Sequence, residues 1–269
     1  MPISDYYDGL DRIAEDNGST DFFKLSPSSA ADFFLSSRQW YGQNLLGEPK
    51  FEGSDSTILG TIVHYFAEQA SLRLKPENPD KLVADFLSTQ KVESPAEIQA
   101  LWKDMSNELI KGCIHGHPKP LATEQFMFHK LLPGIYVGGT TDAIIDLGNS
   151  SGTVSIRDYK TASTKPSGIS YAYRLQAHIY AFLATHYLGH KVSQIELQFV
   201  TRPTKTLPCR HFSFTEPFTE ENLATITDQL QLIAESVDFW NKNPDLRYLL
   251  AQDLRLKPQP KKKPLFLKD

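Results

Sequence analysis

The sequence predicts an α/β domain, a mixed central β-sheet flanked by helices. Three observations carry this. Apolar residues recur at a helical period through most of the first 110 residues and again after residue 170. Between those regions, from Leu121, the pattern changes to runs of Val, Ile, Tyr and Phe punctuated by Gly, which is the signature of strands. Composition agrees, since 40% hydrophobic and 22% charged residues over a chain of 269 is ordinary globular usage with enough apolar surface for a sizeable core.

A helix is expected over 5–16, and a second over 26–46. The second opens at Ser26-Pro27-Ser28-Ser29, where a serine oxygen accepts an orphan N–H and an early proline costs no hydrogen bond. A break at Gly53-Ser54-Asp55-Ser56 precedes a helix over 57–74, with Ile58, Ile62, Tyr65 and Phe66 near helical spacing. A helical stretch over 79–111, interrupted at Ser94-Pro95, has the polar content of a peripheral element. Strands are expected over 122–131, 135–147 and 153–159, and the short turns between them imply antiparallel neighbours. A helix over 171–188 stopped by Gly189, strands over 194–201 and 209–214, and a helix over 220–241 complete the pattern. The reading is one domain over 1–254 and a tail over 255–269.

The chain carries a net charge of −4, but the tail holds Arg255, Lys257, Lys261, Lys262, Lys263 and Lys268 against Asp269, a net +5 that leaves −9 on the rest. With three prolines and no periodicity the tail is expected to be flexible, and its cations suit a polyanion. Cys113 and Cys209 are the only cysteines, which excludes a disulfide framework and a four-thiolate metal site. Cys113-Ile114-His115-Gly116-His117 lies beside prolines and reads as a loop. With no apolar run long enough for a span and no secretory signal at the amino end, a cytoplasmic protein without membrane contact is expected.

The chemistry concentrates around 142–160. On the strand Val154-Ser155-Ile156-Arg157-Asp158-Tyr159-Lys160, Asp158 and Lys160 share a face, and the neighbouring strand can place Asp142 beside Asp158. Carboxylates that converge and stay ionised need a cation, and hard oxygen donors suit Mg²⁺ completed by water and phosphate. Taken alone, Asp-x-Lys reads equally as an ion pair worth about 0–1 kcal/mol. Gln176 and Tyr180 follow as i, i+4 neighbours beside an apolar stripe of Leu175, Ile179 and Phe182. Tyr171, Tyr173 and Arg174 read either as contacts for a base or phosphate or as a plain helix start.

Five ordered segments together resemble the PD-(D/E)XK nuclease superfamily, in particular its RecB-like and exonuclease VIII (RecE)-like members. They are Leu25-Ser26-Pro27-Ser28-Ser29 with 34–41, Gly60-Thr61-Ile62-Val63-His64, Gly139-Thr140-Thr141-Asp142, Asp158-Tyr159-Lys160-Thr161, and Gln176-Ala177-His178-Ile179-Tyr180. The resemblance implies a restriction-endonuclease-like core, with His64, Asp142, Asp158 and the Tyr159 backbone carbonyl as metal ligands. It implies Lys160 orienting the attacking water, Gln176 and Tyr180 positioning substrate, and Glu124 as a further acid behind the ligands. The implied cofactor is Mg²⁺, with Mn²⁺ able to substitute. Relatives with an iron–sulfur cluster carry a cysteine where Ser36 or Ser37 stands and a carboxy-terminal cysteine cluster. This chain has neither, so no such cluster is expected, and no phosphate-cradling ATP motif occurs.

The activity so implied is a phage-type exonuclease acting at double-stranded DNA ends, resecting 5′ to 3′ for recombination or repair. A ring-shaped homo-oligomer and a single-strand annealing protein are the implied partners. Two alternatives stay open: an endonuclease or single-strand nuclease on the same fold, and a catalytically silent nucleic-acid-binding module.

Overall fold

The computed structural model describes residues 3, 9–49 and 53–251, so the expected tail over 255–269 lies outside the described residues. The elements run α1 (Leu10–Asn17), β1 (Phe23–Leu25), α2 (Pro27–Leu35), α3 (Ser37–Leu45), α4 (Asp55–Ser71), α5 (Pro79–Ser88), α6 (Pro95–Cys113), β2 (Ala122–Leu132), β3 (Ile135–Asp146), β4 (Thr153–Ala162), α7 (Tyr171–Leu188), β5 (Lys191–Thr201), β6 (Arg210–Pro217) and α8 (Glu220–Lys242), then a short 3-10 helix, Pro244–Ala251. They form a mixed α/β architecture, a sheet flanked by helices, as expected.

The sheet is mixed. β2, β3 and β4 form an antiparallel meander, β4 and β5 are parallel with α7 as the crossover, and β5 and β6 are antiparallel. β3 is the branch point. Along one edge it pairs with β2 over nearly its full length, so β1 and β4 share the other edge, β1 at Ile135–Val137 and β4 at Ala143–Asp146. The stretch of β3 between them, Gly138 to Asp142, has no strand on that side among the described residues.

Two cores sandwich the sheet. On one face Leu25, Val137, Ile156 and Ile195 pack against Leu175, Ile179 and Phe182 of α7 and Ile226, Leu230 and Ile233 of α8. On the other, Tyr159 and Val200 meet Ile62, Val63 and Phe66 of α4 and Ile98, Trp102, Met105 and Leu109 of α6. Stacking of Phe66 on Trp102, with centroids 4.5 Å apart, joins the two helices of that second layer.

Three expectations change. The helix expected over 26–46 is two helices, because Ser36 takes an extended φ of −152° and ends α2 while it starts α3. The turn folds Trp40 back so that its Nε1 donates to Ser29 Oγ at 2.8 Å. The stretch over 79–111 is not peripheral, since α6 turns a complete apolar stripe inward and only its outer face is polar. Cys113, expected in a loop, is the last residue of α6 and is buried. Strand β1 was not legible, as three residues give no alternation to read.

Truncating Trp102 to Ala is expected to cost about 3–5 kcal/mol, read as a fall in the denaturant midpoint with an unchanged slope. A cost near zero would mean that α6 is the peripheral element its composition suggests.

Candidate active site

β3 and β4 are paired only as far as Ala143 opposite Arg157. One step further they part, and β4 continues to Ala162 against β5 alone. Asp142 and Asp158 stand on either side of that fork. The Asp142 carboxylate closes it, with Oδ2 accepting the Tyr159 N–H at 2.5 Å and Oδ1 3.1 Å from Nδ1 of His64. A ladder bond between two strands is thus replaced by a carboxylate that also reaches a helix of the opposite layer.

Glu124, on β2, stands opposite Asp142 of β3. It carries a φ of +45°, which for a residue with a side chain costs about 1–3 kcal/mol. Its pairing with Asp142 is the rung missing between Thr123–Ala143 and Gln125–Thr141. Val137 and Ile144 pack in the same core although their positions differ by an odd number, and so do Met127 and Ala122. Strict alternation is therefore broken in both strands near this rung, and the break re-aims Glu124 into the site.

His64, Glu124 and Asp142 each present one ligand atom, and the three atoms lie within 4.8 Å of one another. An imidazole and two carboxylates form a donor set that fits a divalent cation of the Mg²⁺ and Mn²⁺ kind. Among the described residues this is the one group of at least three His, Cys, Asp or Glu donors gathered so closely. Asp158 is outside that set, and its Oδ2 lies 2.6 Å from Nζ of Lys160. Lys160 in turn donates to Gln176 Oε1 at 3.1 Å, Gln176 Nε2 donates to the Tyr180 hydroxyl at 3.3 Å, and the Tyr173 ring lies 5.1 Å from the ammonium.

The expected flank of α7 therefore faces the centre, but in the structure Gln176 and Tyr180 hold the lysine. Gly139 makes that approach feasible, because a Cβ there would stand 2.7 Å from Pro27 Cδ and 3.2 Å from the Tyr180 ring. Arg174, considered as a phosphate contact, is taken by Glu216 through two hydrogen bonds of 2.6 Å. Sequence reasoning missed Glu68, one turn beyond His64 on α4, whose charge bears on Glu124. Its i, i+4 spacing from His64 was the available signal.

Charge and burial set the protonation states. Burial, then Asp142, Glu68 and Asp158, pushes the Glu124 carboxyl from 4.5 up to about 9. Burial depresses the Lys160 amine, but Asp158 and Asp142 outweigh it and hold the ammonium above its ordinary value. His64 behaves alike, since burial lowers it and the Asp142 carboxylate raises it further, to a net upward shift. For Asp142 burial acts upward, and His64, Lys160 and the Tyr159 N–H pull the carboxyl below its ordinary value. Burial raises Asp158 against the pull of Lys160. Such a centre carries excess negative potential that protons relieve, which is the condition in which a cation binds by displacing a proton.

The family profile of the PD-(D/E)XK nuclease superfamily matches residues 24–261. A candidate exonuclease from Eubacterium rectale shares 14% identity, with 92% of this chain and 94% of that one covered and a TM-score of 0.53, which supports a common fold. The alkaline exonuclease LHK-Exo from Laribacter hongkongensis shares 13% identity over 87% of this chain and 98% of its own, at a TM-score of 0.41. No curated protein matches.

At Glu124 the metal-free folded protein holds a proton that the unfolded chain has lost between 4.5 and about 9. The contribution of this group to stability in EDTA is fully present at the acid end of that window and is lost as pH rises towards its upper limit. Thermal unfolding across this range should show the fall, Glu124→Gln should flatten it, and Mn²⁺ should reverse it. A metal-free midpoint whose pH dependence is the same in wild-type protein and Glu124→Gln would contradict the arrangement.

Proposed function

The chain belongs to the PD-(D/E)XK nuclease superfamily, and we propose that it is a divalent-metal-dependent deoxyribonuclease, with exonucleolytic attack on double-stranded DNA ends as the favoured mode. The observation that carries this is the charge array at the fork, a three-donor set beside a lysine that is buried against an aspartate. Resection from 5′ to 3′, a ring-shaped assembly and hand-over to an annealing protein belong to the proposal through the resemblance to exonuclease VIII-like enzymes.

His64, Glu124 and Asp142 would hold the ion, with Asp158 and the Tyr159 carbonyl as further ligands on the β4 side of the fork. A divalent cation there polarises a phosphoryl oxygen, eases ionisation of water and offsets charge on the leaving oxygen. Lys160 does the rest as a cation. Held as an ammonium by Asp158 and Asp142, it donates hydrogen bonds to the incoming water and to the phosphoryl oxygens, and it is not the group that takes the proton. Gln176 and Tyr180 fix its direction and form the wall that substrate meets. The side chains around it are largely buried, so the lysine is held rather than mobile.

The second reading is an endonuclease on the same centre, for the centre contains nothing that reads polarity or ends. Linear end-labelled duplex and closed circular DNA incubated with Mg²⁺ separate the two. Mononucleotides released from the linear form alone are the expected result, and cut circles would assign the endonuclease. Cleavage should persist in Mn²⁺ and be absent in Ca²⁺. Lys160→Ala should abolish it with DNA binding retained, at a cost in stability because Asp158 loses its buried partner, whereas Gln176→Ala should lower kcat by up to about a hundredfold, the cost of a displaced catalytic group. Turnover retained by Lys160→Ala would reject the assignment.

A further inference from the structure

The sheet register carries the site beyond Lys160. Lys160 pairs with Phe199 of β5, and Phe199 pairs with Phe212 of β6, so all three project from the same face. Tyr173 from α7 lies between the first two, 5.1 Å from the Lys160 ammonium and edge-on to Phe199 at 5.8 Å. At the far end Lys165, from the loop after β4, sits 5.5 Å over the Phe212 ring. Phe199 is buried, Tyr173 and Phe212 are half-exposed, and Lys165 and Arg210 are exposed. The result is a strip of ring faces and ammonium groups running from the centre to the β6 edge.

The charge on this side is unlike the rest of the molecule. The segments 159–173 and 197–215 hold Lys160, Lys165, Arg202, Lys205 and Arg210 and no Asp or Glu, in a chain with 32 acidic residues and a net charge of −4. Glu216, the nearest acid along β6, is neutralised by Arg174. The loop after β5 is fastened in place, since Arg202 donates to Ser56 Oγ at 2.7 Å in the first turn of α4.

We propose that this strip is the path of a single DNA strand adjoining the scissile phosphate, with bases stacked on Tyr173 and Phe212 and phosphates met by Lys165, Lys205 and Arg210. The inference rests on the nuclease reading and adds to it the residues that guide the strand. Stacking on rings and pairing of phosphates with cations are the two interactions by which proteins hold single strands irrespective of sequence. Two strand spacings separate Lys160 from Phe212, about 10 Å, the length of about three stacked nucleotides. A strand entering here would therefore meet Phe212 a few nucleotides from the bond that Lys160 serves.

The test uses the full-length protein, linear DNA with a single-stranded tail, and a fluorescent single-stranded oligonucleotide bound in Ca²⁺. Phe212→Ala and Lys165→Glu should each raise KM on tailed DNA and the dissociation constant for the oligonucleotide about tenfold, with kcat less affected. Lys165 is exposed, so its variant cannot fail through misfolding, and Phe212→Trp should restore binding. The salt dependence of binding should fall by about one unit of slope for Lys165→Glu. Charge reversal at exposed Lys191, at the start of β5, should change none of these.

If wild-type protein cleaves DNA while both variants keep wild-type KM and affinity, the strand path is wrong and the nuclease reading stands. If wild-type protein fails to cleave with any divalent ion yet binds the oligonucleotide through Phe212 and Lys165, the path stands and the nuclease reading falls. Failure both to cleave and to bind overturns both.

Discussion

The structure depends on one carboxylate placed where two strands stop pairing. Asp142 accepts the Tyr159 N–H that β3 leaves unpaired and faces His64 from the opposite layer, so one side chain closes a gap in the sheet and links it to α4. A buried N–H without a partner costs about 1–3 kcal/mol, which gives Asp142 a structural reason to stay ionised and fixed. Beyond the fork β4 continues against β5 alone and carries Asp158 and Lys160 at its mouth. Pairing β3 and β4 for one more residue would remove the opening.

The electrostatics are those of a site short of positive charge. Asp142, Asp158 and Glu124 approach one another with Lys160 and His64 as the available counter-charges, and burying such groups is expensive unless each is paired. In the absence of an ion the deficit is met by protons, most visibly on Glu124. The left-handed backbone of Glu124 points the same way, since strain of this kind persists only where the surroundings over-determine it. Strain and a displaced pKa at one residue make Glu124 a central member of the candidate site, where the resemblance implied a supporting acid.

The two cores explain how distant segments reach one point. α4 lies in the layer with Tyr159 and Trp102, whereas α7 lies in the layer with Ile156 and Ile195. His64 therefore arrives from one side of the sheet and Gln176 from the other, and they can flank the same strand end only because the sheet is open there. The short β1 and the proline-led α2 fill the remaining edge of β3, with Pro27 against Gly139. An aromatic cluster of Phe33, Trp40 and Tyr41 holds α2 to α3 behind it.

The sequence by itself determined the elements and the identity of most of the charged centre. Helix 171–188 and the strands from 122 to 162 were legible because long runs with a clean period or β-branched and aromatic enrichment leave little choice of conformation. Asp142, Asp158 and Lys160 were legible as neighbours from their spacing along two adjacent strands, and their roles only through the resemblance of five ordered segments. What only the tertiary structure decided was which donors converge. Glu124 enters through a backbone irregularity that breaks alternation, a feature no periodicity encodes, and Glu68 approaches it only because α4 packs across the fork. Gln176 and Tyr180 turned towards Lys160 because Gly139 lets α7 come close. Phe212 and Lys165 joined the same strip through lateral register between strands far apart in the chain, and that long-range pairing is the physical information a linear pattern lacks.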